Sequence, residues 1–226
     1  MAFHPTEDVL AVNLNNTHVA FYRVGPPASP TLTRLGPAVE VAEKLSVLNW
    51  HPGGHYLLAL DVAWGRGSLG FVLNGRGHLT SVAFDADGAH RVADELKVGL
   101  SPEGFDISPD GRYAAVANMR RTYLPRGFWW VPARRHASLS LVGIDAGTGA
   151  LEALGEELPF VGALPEDAVF DAESNTVAVA VFHEPDPETT PERGRVDYYE
   201  VVDDRLRRTR DTTAVMRGVH QLLLVP

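Results

Sequence analysis

The sequence predicts an all-β fold, a β-propeller of about four four-stranded antiparallel blades. Three observations carry that prediction. A strand–turn–strand unit recurs along the 226 residues, a second hairpin follows each copy in the same order, and no long helical periodicity competes.

The clearest unit is Gly104-Phe-Asp-Ile-Ser-Pro-Asp-Gly-Arg-Tyr-Ala-Ala-Val-Ala-Asn118. Proline presets φ at its turn, and glycine supplies the positive φ that side chains resist. Leu48–Leu60 is the closest copy, Ala2–Val12 lacks most of the first strand, and Asp167–Ala180 places Glu-Ser-Asn at the turn. With Pro5, Pro52, Pro109 and Ala172 taken as equivalent, the spacings are 47, 57 and 63 residues.

The second hairpins are Thr17–Val24 with Thr31–Arg34, His78–Phe84 with Ala89–Ala93, Ala137–Asp145 with Ala150–Leu154, and Arg195–Val202 with Arg205–Arg208. Each unit therefore supplies four strands, A to D, which is the blade of a propeller. A β-sandwich also alternates short strands with turns, but gives no reason for the two turns to recur in fixed order. The blades are expected at about 1–46, 47–102, 103–164 and 165–217. Residues 218–226 read as one more strand A, able to complete blade one and close the ring. A partial ring and a ring shared by two chains stay open as alternatives.

Composition narrows the partners. Hydrophobic residues make up 45% of the chain, enough for a real core. The formal charge of −9 argues against nucleic acid, which needs a clustered cationic surface. With no cysteine, disulfides, thiolate metal sites and cysteine nucleophiles are excluded. No apolar run approaches a membrane span and no signal peptide is visible, so a cytoplasmic protein without membrane association is expected.

Propeller topology gathers the B–C loops and D-to-A crossovers on one face. Three B–C loops are long, about 62–77, 119–137 and 183–194, and long loops in a compact domain are commonly functional. The loop Met119–Ala137 interleaves five arginines with Tyr123, Phe128, Trp129 and Trp130. Guanidinium groups clamp carboxylate or phosphate while aromatic rings supply stacking surface. Arg120, Arg121, Tyr123 and Trp129, with Arg217, are the expected binding residues for a small anionic or lactone-type molecule. The bland alternative is that the rings plug the channel and the arginines pair with surface acids.

The starts of the A strands should ring the channel. The repeat alignment places Ser46, Glu103, Glu166 and Arg217 at one level, and Asn49, Asp106, Val169 and His220 three residues on. Glu103, Asp106, Glu166 and His220 are the candidate acid–base groups, able to activate water while an arginine binds developing negative charge. Ion pairs that merely close the ring are the structural alternative. His183, Glu184 and Asp186 match no strong metal-ligand spacing, so no metal is expected. The glycine-rich 65–77 segment lacks a phosphate-loop lysine. His51, His55, His78 and His90 read as strand or turn residues, and no Gly-x-Ser-x-Gly elbow is present.

The run Phe105–Asn118, with Ser138–Asp145 and Gly147–Leu151, resembles the lactonase-like propellers, a group that includes 6-phosphogluconolactonase-type and YVTN-repeat proteins. The resemblance covers blade three best, blade four in part and blade two weakly. Typical members have seven blades in a longer chain, and their catalytic residues do not align with this chain one by one. The resemblance implies hydrolysis of a sugar or other lactone by activated water, with no cofactor. The second reading, from a different class, is a non-enzymatic scaffold whose loops hold another protein or a second copy.

Overall fold

The computed structural model describes residues 1–64, 74–124, 126–128, 130–134, 136–183 and 193–224, with the side chain of Arg126 left aside. Blade one consists of β1 (Ala2–Phe3), β2 (Val9–Leu14), β3 (His18–Val24) and β4 (Leu32–Glu40). Blade two consists of β5 (Leu45–Trp50), β6 (Tyr56–Asp61), β7 (Arg76–Ala83) and β8 (Arg91–Leu100). Blade three has β9 (Pro102–Ile107), β10 (Tyr113–Asn118) and β11 (His136–Ile144), and its outer position is split between β12 (Leu151–Ala153) and β13 (Leu158–Val161), both paired with β11. Blade four consists of β14 (Ala163–Phe170), β15 (Thr176–His183), β16 (Arg193–Val202) and β17 (Arg205–Met216). All strand pairs are antiparallel, each blade running in chain order from its inner strand outward.

The period of two along each strand sends alternate side chains to opposite blade faces. In β6, Leu57 and Ala59 enter the seam with blade one, while Leu58 and Leu60 enter the seam with blade three. In β10, Ala114 and Val116 face blade two, whereas Ala115 and Ala117 face blade four. Three apolar cores result. Phe21, Leu48 and Trp50 anchor the first, Leu79 and Phe105 the second, and Leu139, Phe170 and Tyr199 the third. Each fully buried large side chain contributes about 1.5–3 kcal/mol.

Hydrogen bonds repeat from seam to seam as well. His4 Nε2–H donates to the Gly54 carbonyl at 3.0 Å, and His51 Nε2–H donates to the Gly111 carbonyl at 3.0 Å. The tautomer follows from the other nitrogen, because His4 Nδ1 accepts the Glu7 N–H at 2.9 Å and His51 Nδ1 accepts the Gly53 N–H at 3.0 Å. Gly111 sits at φ +76°, and a Cβ there would lie 2.5 Å from His51 Nε2. In the third seam Ser174 Oγ takes this place, accepting the Asp110 N–H at 3.1 Å. His90 staples the second hairpin of blade two to blade one, bonding the Leu35 carbonyl at 2.9 Å while its Nδ1 accepts the Asp85 N–H at 3.1 Å.

The ring is an open arc. Three cores join blades one to two, two to three and three to four, and among the described residues no strand pairing or apolar core joins four to one. Among the described residues the expected closing strand does not form: residues 218–224 carry no strand, and β1 is paired with β2 alone. The tail instead turns at Gly218, whose N–H donates to the Phe182 carbonyl at 3.0 Å, and runs along the inner flank of blade four. Among the described residues no helix is long and apolar enough to cross a membrane.

Candidate functional site

The inner strands begin at the face where the crossovers and the B–C loops gather. Met119 and Arg120, leaving β10, donate their N–H groups to the carbonyls of Ser101 and Leu100, each at 2.9 Å. The start of β9 therefore lies directly beside the arginine-rich loop. Five non-glycine residues on this rim adopt left-handed backbone: Ala63 at φ 49° and Arg120 at φ 55° where B strands end, Ala133 at φ 64° in the arginine-rich loop, Ser101 at φ 49° in the crossover before β9, and Leu164 at φ 52° at the start of β14. Such conformations cost on the order of 1–3 kcal/mol each and gather at sites where geometry matters more than stability.

Below the rim, β9 and β14 run side by side because residue 104 is glycine: a Cβ there would lie 2.3 Å from the Glu166 carbonyl oxygen. This close approach brings Glu103 beside Glu166. Glu103 Oε2 is buried and has no hydrogen-bond partner. Burial, with the Glu166 charge adding to it, pushes the Glu103 carboxyl up to about 7, and His220 opposes that rise. Glu166 is also raised by burial, against His220, whose Nδ1 lies 3.6 Å from Glu166 Oε2.

Asp106 sits lower in the channel and accepts the Phe170 N–H at 3.0 Å, a bond across the seam that partly offsets the rise burial imposes on its carboxyl. Asp167 takes the same role one blade on. Its Oδ2 accepts the Leu222 N–H at 3.0 Å, and burial raises its carboxyl to about 6, with the Asp106 charge adding a smaller push. In the preceding seam Asn49 Nδ2 donates to the Phe105 carbonyl at 2.7 Å. The inner strands of blades two and three thus each hold the next by one polar side chain, and blade four's holds the tail 218–224 as it would a further inner strand.

The structure brings together Glu103, Glu166 and His220, with Asp106 deeper in the same channel. Arg217 stands apart: it is exposed, its guanidinium carbon lies 5.8 Å from the centre of the Phe182 ring, and among the described residues it forms no ion pair with either glutamate. The chain turns immediately after it, at Gly218 with φ +99°, which carries only His220 back to the carboxylates. Asp167 has no counterpart in the repeat alignment, since its equivalents are Val47 and Gly104. The signal that could reveal it is its place beside Glu166 in an inner strand.

On the rim, Arg121 Nε donates to Asn74 Oδ1 at 3.1 Å, and Asn74 Nδ2 donates to the Arg120 carbonyl at 3.0 Å. Tyr123 is half-buried, with its ring 6.2 Å from that of Trp64, and a side-chain hydrogen bond ties it to Ser101. Thr122 pins the loop to the start of β14 by accepting the Leu164 N–H at 3.0 Å, and Leu124 and Val131 are buried beneath it. Trp129 lies outside the described residues, as do Glu184 and Asp186 of the acidic loop and the 65–73 part of the glycine-rich segment. Among the described residues no group of three or more His, Asp or Glu side chains is arranged to hold a metal ion.

No family model matches the chain, and no curated protein matches it in sequence. Solved structures do match in shape. A provisionally named 6-phosphogluconolactonase from Bacteroides uniformis aligns with a TM-score of 0.66 at 14% identity, over 96% of this chain and 54% of that one. A second, from Bacteroides fragilis, gives 0.63 at 14% identity, over 93% and 55%. The periplasmic gluconolactonase of Pseudomonas aeruginosa gives 0.56 at 16% identity, over 95% and 70%. The chain shares the β-propeller fold of these structures and spans about half the length of the first two. At these identities the likeness is one of fold.

Proposed function

We propose that this chain binds and hydrolyses a small lactone-type molecule at the channel mouth, with Glu103 as the group that activates water. The observation that carries the reading is the buried, unpartnered Oε2 of Glu103 beside Glu166 and His220. A carboxyl titrating at about 7 exchanges protons at working pH, which suits general base catalysis. In the proposed step Glu103 takes a proton from water as the water oxygen bonds to the lactone carbonyl carbon. The ring C–O bond then breaks, and His220 or a protonated Glu166 gives the leaving oxygen its proton. The product is the open hydroxy acid. Arg120 and Arg121 border the entrance, where a guanidinium can bind an anionic substituent of the substrate. The lactonase names among the structural neighbours support this substrate class.

The test is proton release from δ-gluconolactone and simpler lactones, corrected for spontaneous opening, with Glu103→Gln as the comparison. Turnover in the parent chain and a loss of about 100-fold or more in kcat for the variant are expected. Turnover equal in both, or none above background in the parent, would overturn the reading.

A further inference from the structure

Blades two and three are packed against neighbours on both faces; at the ends of the arc, among the described residues, one face of blade one and one of blade four have no neighbouring blade. The strand registers place Phe3, Leu10 and Tyr22 in one row across blade one, on the face turned away from blade two. Ala2, pointing the other way, packs into the first core. The corresponding face of blade four carries Val169, Ala178 and Tyr198 in one row, with Phe182 nearby. Among the exposed large apolar side chains, Met1 at 84% and Phe3 at 66% lie at one end, and Met216 at 83% and Leu223 at 82% at the other.

The two ends are also complementary in strand content. The inner strand of blade one is two residues long, where those of the other blades have six to eight. The tail 218–224 lies on the flank of blade four that the inner strand of a further blade would occupy, bonded through Asp167 as β14 is bonded through Asp106. Within residues 1–226, the short inner strand at one end is matched by an inner segment at the other.

We propose that two copies of this chain close into a single eight-bladed ring, the tail of each lying beside β1 of the other. The area fits a stable pair. Four strands about 4.8 Å apart and about six residues long present roughly 400 Å² of sheet face. Four such faces meet in the closed ring, burying roughly 1,600 Å², the usual size of a specific interface. Because blade one meets blade four twice, the assembly closes by a twofold axis and leaves no free face. The second copy would also complete the wall of the channel, adding its own Glu103 and Glu166 across the axis from the first.

Sedimentation or light scattering on the 226-residue chain tests this without any enzymatic readout, so its outcome is separate from that of lactone turnover. A particle of twice 24.6 kDa is expected. Phe3→Asp and Leu223→Asp, both at exposed positions, should each shift it to monomer with circular dichroism unchanged. The chain has no cysteine of its own, so a Phe3→Cys, Leu223→Cys double variant reports directly on the contact. Oxidation should give an intermolecular covalent dimer. A monomeric parent, a ladder of larger assemblies, a dimer indifferent to both aspartates, or a disulfide formed only within one chain would each overturn the proposal.

Discussion

Glu103 shows how a single side chain couples the channel to pH. Its carboxyl binds a proton up to about 7 in the folded protein and only near the ordinary 4.5 when unfolded. Between those values the folded state holds more protons than the unfolded one, so stability falls as pH rises. The contribution is fully present below about 4.5 and is lost as pH rises through about 7, with Asp167, raised to about 6, acting in the same direction over a narrower window. Glu103→Gln removes the buried charge. We expect it to raise stability by on the order of 2 kcal/mol at pH 8 and to change it little at pH 4, measured by urea unfolding at both values. His90 works in the opposite sense. Burial lowers its pKa, so its contribution is present above its ordinary 6.5 and is lost as pH falls through the depressed value.

At the scale of elements, the turns that join inner strands to their neighbours double as fasteners between blades. His51 ties its own turn through Nδ1 and the next blade through Nε2. His51→Ala deletes both bonds and leaves the Gly111 carbonyl short of its partner, and should cost about 1–3 kcal/mol in denaturant unfolding, with the strand content of the folded protein retained. This role shows where the sequence was legible and where it was not. Ser-Pro-Asp-Gly and His-Pro-Gly-Gly announce turns because turn chemistry is local, and with the hairpins that follow they reveal the blades. The partner of each histidine lies 50 or 60 residues away, so position 51 reads only as a turn residue. The convergence of Glu103, Glu166 and His220 could be read because a repeat maps equivalent positions onto one level of the channel. Asp167 could not, its equivalents being apolar or glycine, and Arg217 was misplaced because the backbone reversal at Gly218 breaks the alignment's assumption of one more ordinary strand.

Across the whole molecule, blades two and three are packed on both faces, whereas one and four each have a face without a neighbouring blade in the single chain. A repeat array derives its stability from neighbour interfaces, so local opening begins where a neighbour is lacking. In the monomeric Phe3→Asp variant, amide exchange should therefore be slowest in β6 and β10, both buried on two sides, and faster in β2 and β15. Uniform protection across the four blades of that variant would contradict an arc held by three seams. In the parent chain, where a second copy covers the end faces, β2 and β15 should be slowed selectively.

The outer rim of blade four has a consequence for solution behaviour. β17 is twelve residues long, nearly all exposed, and its outer edge leaves backbone amides and carbonyls without a neighbouring strand. Such an edge is a template for uncontrolled sheet growth. Arg205, Arg207, Arg208 and Arg210 crowd its first half, so a second molecule aligned edge to edge would bring guanidinium against guanidinium. Positive charge along an open edge thus disfavours edge-to-edge growth, even with Arg207 and Arg208 paired to Glu200 and Asp197.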